Sequence, residues 1–432
     1  MRQIRNSISF SVVFLLILIS SLHLKASNET LEEELISNAN NQNVSAFSAL
    51  VVRDGDIIWN FSYGEGFKGK IPTIDSIYNL ASITKTVTAT AVMTLVEDGL
   101  IDLDSDINTY LPFYYEDPYF PDTVTTMRML ISHTAGFVPK DSYYASVVWN
   151  ANLTTQECID GKLIAEFLNT TYPQNIVDMY SESGQFYRPT IWSSERPPGE
   201  HNGYLDYSNY GFTLAAYIVE LVSNSTMENY ILDNIFHPIG AYNVSYSFNS
   251  FDLSQIIEAE PAPGEFADCY DSFRGNGNWP DKLEFGAAEL KASPRAMSKF
   301  MMMHMNGGEV DGTRILTEES ITMMHEIIDG DYGLGWWWVG GWSGHGGRGL
   351  GYRSEMRIKS RIDGNYGIFE IDNGLNSGGL DTLYNIIKNR VEEGVFNTGT
   401  SNNAQSIISW VSLLDIIFVA VIIKIKEKRN LT

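Results

Sequence analysis

The stretch Ile77–Lys85, IYNLASITK, places Ser82 three residues before Lys85. Apolar residues at helical spacing follow, so we predict a buried helix over 83–97 with the serine and lysine side chains on one face. A serine hydroxyl is a weak nucleophile until a base takes its proton, and a desolvated lysine can be that base. Unpaired N–H groups at the helix start would stabilise an oxyanion there. The same residues could instead be a helix cap followed by a solvated lysine, and the spacing leaves both interpretations open.

Strand patterns lie towards both ends of the chain, with helical patterns between them. Residues 46–63 form a hairpin pattern around an Asp-Gly turn, and glycine-punctuated strands run over 332–373. Short helical patterns mixed with loops fill about 100–285, and an amphipathic helix over 380–393 follows the last strands. We therefore predict an α+β fold, with one antiparallel sheet built from both chain ends, flanking helices and a helical insertion.

Composition excludes several classes of protein. The chain has 432 residues, 44% of them hydrophobic, and a formal net charge of -24. The chain can bury a large hydrophobic core. Its acidic composition provides no basic surface for binding a phosphate backbone, so we expect no nucleic-acid partner. The two cysteines, Cys158 and Cys269, could form one disulfide in an oxidising compartment, although their spacing does not establish that they meet.

Two further motifs follow the serine and lysine in order. Tyr207-Ser208-Asn209 lies within PPGEHNGYLDYSNYGF, and His345-Gly346-Gly347 begins a glycine-rich strand pattern. Together the three elements resemble the three motifs of the serine β-lactamase and penicillin-binding protein superfamily. The sequence is most similar to class C β-lactamases, D-alanyl-D-alanine carboxypeptidases and β-lactamase-like esterases and peptidases, and the resemblance covers about residues 44–390. It implies the β-lactamase/transpeptidase-like fold.

The resemblance also implies a role for each motif residue. Ser82 would be the acylated nucleophile, and Lys85 would share its proton. Tyr207 would be the partner general base, with its phenol held near the lysine. Asn209 would bind a substrate amide and orient the lysine. His345 stands where many relatives carry the lysine of a Lys-Thr-Gly motif, and would hydrogen-bond the tyrosine and meet the carbonyl or carboxylate side of the substrate.

The resemblance also implies an oxyanion hole, and the sequence departs from the family pattern in two places. The backbone N–H groups of Ser82 and Arg348 would form the oxyanion hole, with Gly347 in the same substrate-binding segment. Histidine in place of lysine removes a permanent cation, which weakens anchoring of a β-lactam carboxylate and favours an esterase or peptidase with another substrate. The loop 199–207 is longer than is usual before this tyrosine, which predicts a remodelled pocket wall.

We therefore predict a membrane-tethered serine hydrolase that cleaves an ester or amide bond of a small-molecule or peptide acyl substrate through an acyl-enzyme on Ser82. An acyltransferase would use the same residues and differ only in the acceptor. A catalytically silent surface binding protein on the same fold is the alternative from another class. A complete residue set argues against it, because a silent relative would be free to lose the nucleophile.

Both ends of the chain carry apolar segments with basic flanks. Residues 1–26 are typical of a cleaved signal peptide, with an uncleaved anchor as the alternative. After a domain over 27–396 and a polar linker over 397–406, the apolar segment 407–423 and the basic tail 424–432 predict a transmembrane helix with a cytosolic end. An amphipathic helix on the domain or on a membrane surface is the alternative. We thus expect a single-pass protein of the secretory pathway with an extracellular or lumenal catalytic domain.

Asparagine sequons support the same expectation. Together with a signal peptide they predict a glycoprotein. The seven sequons are Asn28, Asn43, Asn60, Asn152, Asn169, Asn224 and Asn243.

Other candidate sites are explained by structural roles. Asp102, Asp104 and Asp106 imitate the start of a calcium loop without its glycine and glutamate, so we predict a turn and helix cap, no metal site and no cofactor. His133 is predicted to be a buried residue that supports the site rather than a ligand. The run Trp336–Trp338 could line a substrate pocket or face the core.

Overall fold

The computed structural model of this protein describes residues 30–66, 69–138, 174–184, 187, 189–201, 203, 205–252, 254–257, 285–349, 352–374 and 382–397. The chain forms two compact units, Met1–Ile386 and Ile387–Thr432, and every predicted catalytic or substrate-binding residue belongs to the first.

Strands and helices are numbered in chain order. The strands are β1 Ala46–Arg53, β2 Asp56–Gly64, β3 Tyr78–Asn79, β4 Val244–Ser245, β5 Lys291–Ala292, β6 Glu309–Val310, β7 Thr313–Arg314, β8 Trp337–Val339, β9 Trp342–Gly349, β10 Tyr352–Arg361 and β11 Gly364–Asp372. The helices are α1 Leu31–Asn41, α2 Thr84–Glu97, α3 Met127–Ile131, α4 Gln174–Tyr180, α5 Asn209–Ser223, α6 Met227–Ile231, α7 Pro294–Met305, α8 Glu318–His325 and α9 Thr382–Glu392.

A six-stranded sheet joins the early and late parts of the chain. Its order is β2-β1-β11-β10-β9-β8, and every neighbouring pair is antiparallel. The first two strands are the predicted hairpin, and the other four come from the predicted late strand region. This confirms the α+β class and the antiparallel sheet built from two distant parts of the chain.

Helices cover the inner face of this sheet and carry the site. α7 begins at Pro294 after Ser293, whose side chain accepts a hydrogen bond from the Ala296 N–H. It packs on β11 at Gly367, where a Cβ would lie 2.6 Å from Val52 Cγ2 and 2.9 Å from Met305 Sδ, so a larger residue there would force these side chains to shift. The methionine-rich helix α7 therefore belongs to the core. α2 packs against α5 and against β9, which brings the three motifs to one place.

The predicted membrane attachment is corrected by the helix lengths. Among the residues that the structure describes, no helix is long and apolar enough to cross a bilayer. The longest of these helices, α5, has 15 residues, or roughly 22 Å at the rise of an α-helix, whereas a span needs about 20 residues. The prediction of a single-pass secretory-pathway protein was therefore wrong on this finding. Residues 1–26, 398–406, 407–423 and 424–432 lie outside the described residues.

The sequons and cysteines are only partly within the described residues. Asn43, Asn60 and Asn224 are exposed, and Asn243 is half-buried. Glycosylation at these positions stays a prediction. The remaining predicted positions lie outside the described residues: Asn28, Asn152, Asn169, Cys158 and Cys269.

Candidate active site

Ser82 lies in a tight turn that leads into α2. The turn is a 3-10 helix over Ala81–Ile83. Ala81 has φ +48°, a left-handed conformation that costs an L-residue about 1 to 2 kcal/mol. Two hydrogen bonds hold it: its N–H donates to Asn79 Oδ1 at 2.8 Å, and the Thr84 hydroxyl donates to its carbonyl at 2.7 Å. The fold thus keeps a strained turn in place and leaves the Ser82 hydroxyl half-buried, within reach of solvent.

Lys85 is fully buried and makes three hydrogen bonds. Its Nζ donates to Ser82 Oγ at 3.2 Å, to Asn209 Oδ1 at 2.6 Å and to the Ala287 carbonyl at 2.9 Å. These acceptors are neutral. As an ammonium group Lys85 would donate to all three, and as a neutral amine it would donate to Asn209 and Ala287 and accept from the Ser82 hydroxyl. The helix cap is Ile83, not the serine. The alternative of a serine cap followed by a solvated lysine is therefore wrong.

Tyr207 lies directly beside this lysine. Lys85 Nζ is 4.7 Å from the centroid of the Tyr207 ring, within the range of a cation–π contact. The ring stacks on Trp337, with centroids 6.1 Å apart and planes 27° apart, and its centroid is 4.4 Å from that of His133. The next residue, Ser208, caps α5. The structure thus brings the first two predicted motifs together.

His345 is buried on β9 in one defined neutral form. A carbonyl can only accept, so the 2.6 Å contact with the Gly346 oxygen places the proton on Nδ1. Nε2 then accepts from the Tyr332 hydroxyl at 3.2 Å. Burial, and then the charge of Lys85, holds the pKa of His345 well below 6.5, so the ring is neutral at pH 7. Its centroid is 5.9 Å from that of Tyr207, the partner predicted from the sequence.

Gly347 lets β9 approach the turn that carries the serine. A Cβ at Gly347 would lie 2.3 Å from the Leu80 carbonyl oxygen and 2.3 Å from Ser354 Oγ, closer than atoms can pack. The Ser354 hydroxyl donates to that same carbonyl at 2.8 Å, which fixes β10 to the turn as well. Arg348 follows with an exposed side chain. A backbone role for Arg348 and Ser82 in an oxyanion hole stays a prediction.

One supporting residue of the site was predicted from the sequence, and two further groups were missed. His133 is buried beside Tyr207, as the sequence indicated. Tyr332, which hydrogen-bonds His345, was missed, because nothing in its local sequence distinguishes it from the chain's many other tyrosines. The Ala287 carbonyl that binds Lys85 was also missed, and a backbone group carries no signal in the sequence.

The tryptophan run divides between the two roles that were left open. Trp336 is fully buried, with ring centroids 4.4 Å from His304 and 4.2 Å from His325. Trp337 stands at the site, against Tyr207. The Trp338 indole N–H donates to the His325 carbonyl at 2.7 Å. One residue of the three thus lines the site.

The acidic run near residue 104 has the predicted structural role. Asp102 Oδ1 accepts from the Asp104 N–H at 2.9 Å, and Asp106 caps a short 3-10 helix through the Asn108 N–H. Hydrogen bonding to Arg128, at 2.7 Å, lowers the pKa of Asp104. These carboxylates form a turn and a cap, as expected. No cluster of metal-ligating side chains occurs in the part of the chain that the structure describes.

Comparison with known proteins agrees with this geometry. The family model described as Beta-lactamase matches residues 31–363. Beta-lactamase-like protein 1 of Dictyostelium discoideum is 24% identical over 365 residues, which cover 67% of this chain and 52% of that protein. Penicillin-binding protein 4 of Amycolatopsis lactamdurans is 26% identical over 289 residues, covering 64% of each chain. The matches thus span between half and two thirds of these relatives.

Solved structures support the fold. The octameric penicillin-binding protein homologue from Pyrococcus abyssi has a TM-score of 0.62 and 20% sequence identity to this chain. The superposition covers 84% of this chain and 77% of that one. The arrangement of sheet and helices is therefore the one seen in that protein.

Proposed function

Because this chain belongs to the β-lactamase family, whose model matches residues 31–363, we propose that it is a serine hydrolase that cleaves an ester or amide bond through an acyl-enzyme on Ser82. The observation that carries the proposal is the 3.2 Å hydrogen bond between Lys85 Nζ and Ser82 Oγ. A lysine held out of solvent beside a half-exposed serine can take the hydroxyl proton as the oxygen attacks. Family membership by itself supports a hydrolase.

The proposed reaction has two steps. In acylation, Ser82 Oγ bonds to the substrate carbonyl carbon while its proton passes to Lys85. The bond to the leaving group then breaks, and the leaving group departs with a proton supplied through Lys85 and Tyr207. In deacylation, a water bonds to the acyl carbon, gives its proton to the same pair, and the serine leaves with a proton as a hydroxyl. The products are a carboxylic acid and an alcohol or amine.

The surrounding contacts support the assigned roles. Asn209 and the Ala287 carbonyl hold Lys85 Nζ from two other directions, so the amine keeps one position next to the serine. Positioning of this kind supplies a large part of an enzyme's rate. The ring centroid of Tyr207 lies 4.7 Å from the same nitrogen, which supports Tyr207 as the second group of the proton-transfer pair.

The neutral state of His345 supports a class of substrate. A lysine at this place would offer a permanent cation to a carboxylate next to the scissile bond. A buried neutral imidazole, whose Nε2 accepts from Tyr332, offers none. We therefore expect uncharged esters or amides to be preferred over β-lactams.

Active-site labelling tests the proposal. Purified protein would be incubated with p-nitrophenyl esters, D-amino-acid amides and a β-lactam, and the mass of the intact chain would be followed. We expect an acyl adduct in the wild type and none in Ser82→Ala, with hydrolysis lost in parallel. Ser298→Ala is the matched control, because Ser298 is a buried serine of α7 whose hydroxyl donates to the Arg295 carbonyl of the same helix.

Three results would overturn the proposal. Hydrolysis that survives Ser82→Ala would exclude the nucleophile. The absence of any adduct across the panel would favour a silent binding protein. An adduct released by an added amine but not by water would identify an acyltransferase.

A further inference from the structure

His133 holds the backbone between two of the site residues. It lies just after α3, is only 5% exposed, and its Nδ1 accepts a hydrogen bond from the Ser208 N–H at 3.1 Å. Ser208 stands between Tyr207 and Asn209. The imidazole therefore contacts the segment that must deliver a phenol and an amide to Lys85.

The same turn secures both ends of the loop before that segment. Thr134, next to the histidine, accepts a hydrogen bond through its carbonyl from the Gly199 N–H at 2.8 Å. His133 binds Ser208, which directly follows the loop 199–207, and Thr134 binds Gly199 at its start. Two consecutive residues, His133 and Thr134, therefore hold both ends of this loop. The predicted remodelled wall thus has a fixed anchor.

The backbone of His133 is unusual in a way that serves this contact. Its φ is +61°, in the left-handed region that only a few per cent of non-glycine residues adopt, most often asparagine, aspartate and histidine. Such strain persists only where surrounding structure enforces it, and it is concentrated at functional sites.

One tautomer of His133 satisfies these contacts. The Ser208 N–H is a donor, so Nδ1 is unprotonated and the proton is on Nε2, which has no hydrogen-bond partner among the described residues. A second proton, on Nδ1, would place two donors against each other. The groups that face the ring are Lys85 from α2, Phe212 from α5, and Tyr207, Tyr332 and His345.

We infer that His133 is a positioning residue that fixes Tyr207 and Asn209 against Lys85 by accepting the Ser208 N–H at Nδ1. The inference rests on the proposed function of these three residues. Burial, and then the charge of Lys85, keeps the pKa of His133 well below 6.5, which preserves the acceptor at neutral pH.

Three variants separate this role from packing. His133→Asn keeps an acceptor near the position of Nδ1 and tolerates positive φ. His133→Gln places its polar atoms farther out, and His133→Ala removes them. We expect the alanine and glutamine variants to lower kcat for ester hydrolysis about tenfold to hundredfold with little change in KM, since one buried hydrogen bond is lost. The asparagine variant should stay within about threefold of wild type.

A buried histidine elsewhere supplies the control. His304 is equally buried and bonds Thr90, away from the loop 199–207. His304→Ala should lower Tm as much as His133→Ala while sparing kcat. Loss of kcat in step with Tm across all four variants, the asparagine variant included, would overturn the positioning role.

Hydrogen exchange tests the contact independently of catalysis. Peptides covering residues 205–212 should lose protection in His133→Ala and keep it in His133→Asn and His304→Ala. Unchanged exchange in His133→Ala would overturn the inference whatever the chain's activity. Failure of Ser82 labelling combined with the expected exchange pattern would instead count against the proposed function alone.

Discussion

Lys85 Nζ lies 2.6 Å from Asn209 Oδ1, so the helix that follows Ser82 is joined to the helix that follows Tyr207 by a buried hydrogen bond. Lys85 and Asn209 are 124 positions apart in the sequence, so this contact exists only in the folded chain. The side-chain amide of Asn209 is a neutral hydrogen-bond partner for the amine of Lys85. A charged side chain at position 209 should therefore change the protonation state of Lys85.

Asn209→Asp tests this neutrality. A carboxylate at this position would hold Lys85 as an ammonium ion, so it could not accept the serine proton at pH 7. We expect kcat/KM for ester hydrolysis to fall about hundredfold at pH 7 and to recover in part at higher pH. Asn209→Ala should lower the rate without moving its pH dependence. The same pH profile for both variants would contradict the explanation.

His345→Lys tests the preference for uncharged substrates. A lysine would restore a cation where the wild type has a neutral ring. We expect KM for a substrate with a carboxylate next to the scissile bond, such as a β-lactam, to fall about tenfold, the value of a charge-assisted hydrogen bond. KM for a neutral ester should not improve, and Tm should fall because a cation is buried. His345→Gln is the uncharged control, and an equal gain with glutamine would refute the electrostatic argument.

A second histidine network predicts sensitivity to acid. The Thr90 hydroxyl donates to the Thr86 carbonyl, so it accepts from His304 Nε2 at 3.0 Å. His304 Nδ1 then accepts from His325 Nε2 at 3.4 Å, and His325 Nδ1 accepts from the Ser343 hydroxyl at 2.7 Å. Each imidazole is neutral, and each would lose a hydrogen bond on protonation.

Burial lowers the pKa of His325 to about 3 and that of His304 well below 6.5. The unfolded chain therefore binds protons first as the pH falls. The free energy of unfolding should therefore have its full value above pH 6.5. Below pH 6.5 it should decrease by about 1.4 kcal/mol per pH unit for each histidine, until the pH approaches the pKa of that histidine in the folded protein. Urea titrations between pH 4 and 8 measure this slope. His325→Gln should reduce it, and His201→Gln, at an exposed position, should not.

A buried carboxyl predicts the opposite dependence. Glu370 is fully buried on β11, where burial, and then the charge of Asp372, raises its pKa well above 4.5. Asp372 is ion-paired with Arg353 at 2.6 Å, so the proton stays on the glutamic acid. The unfolded glutamate ionises above pH 4.5, and stability is therefore lost as the pH rises towards the folded pKa.

Glu370→Gln should remove this penalty. We expect it to raise the free energy of unfolding at pH 7 by about 1 kcal/mol or more, with no gain at pH 4. Glu355→Gln is the contrasting variant, because it breaks the buried 3.0 Å ion pair with Arg357 and should destabilise. A loss of stability in Glu370→Gln that is equal at both pH values would contradict a protonated Glu370.

Much of the architecture could be predicted from the order of residues. The Asp-Gly hairpin, the helix after Ser82 and the late glycine-punctuated strands depend on local periodicity and turn chemistry, which the sequence displays directly. The positions of Ser82, Lys85, Tyr207 and Asn209 followed from motif order. The membrane prediction, in contrast, relied on apolar segments and their basic flanks.

The sequence by itself determined which groups are present and which elements carry them. Only the tertiary structure decided that Lys85 is buried against neutral acceptors, that His345 pairs with Tyr332, and that His133 holds the Ser208 backbone. Proton positions and burial depend on distances through space between residues far apart in the chain. Local sequence does not encode those distances, because they are set by how helices and sheet pack together.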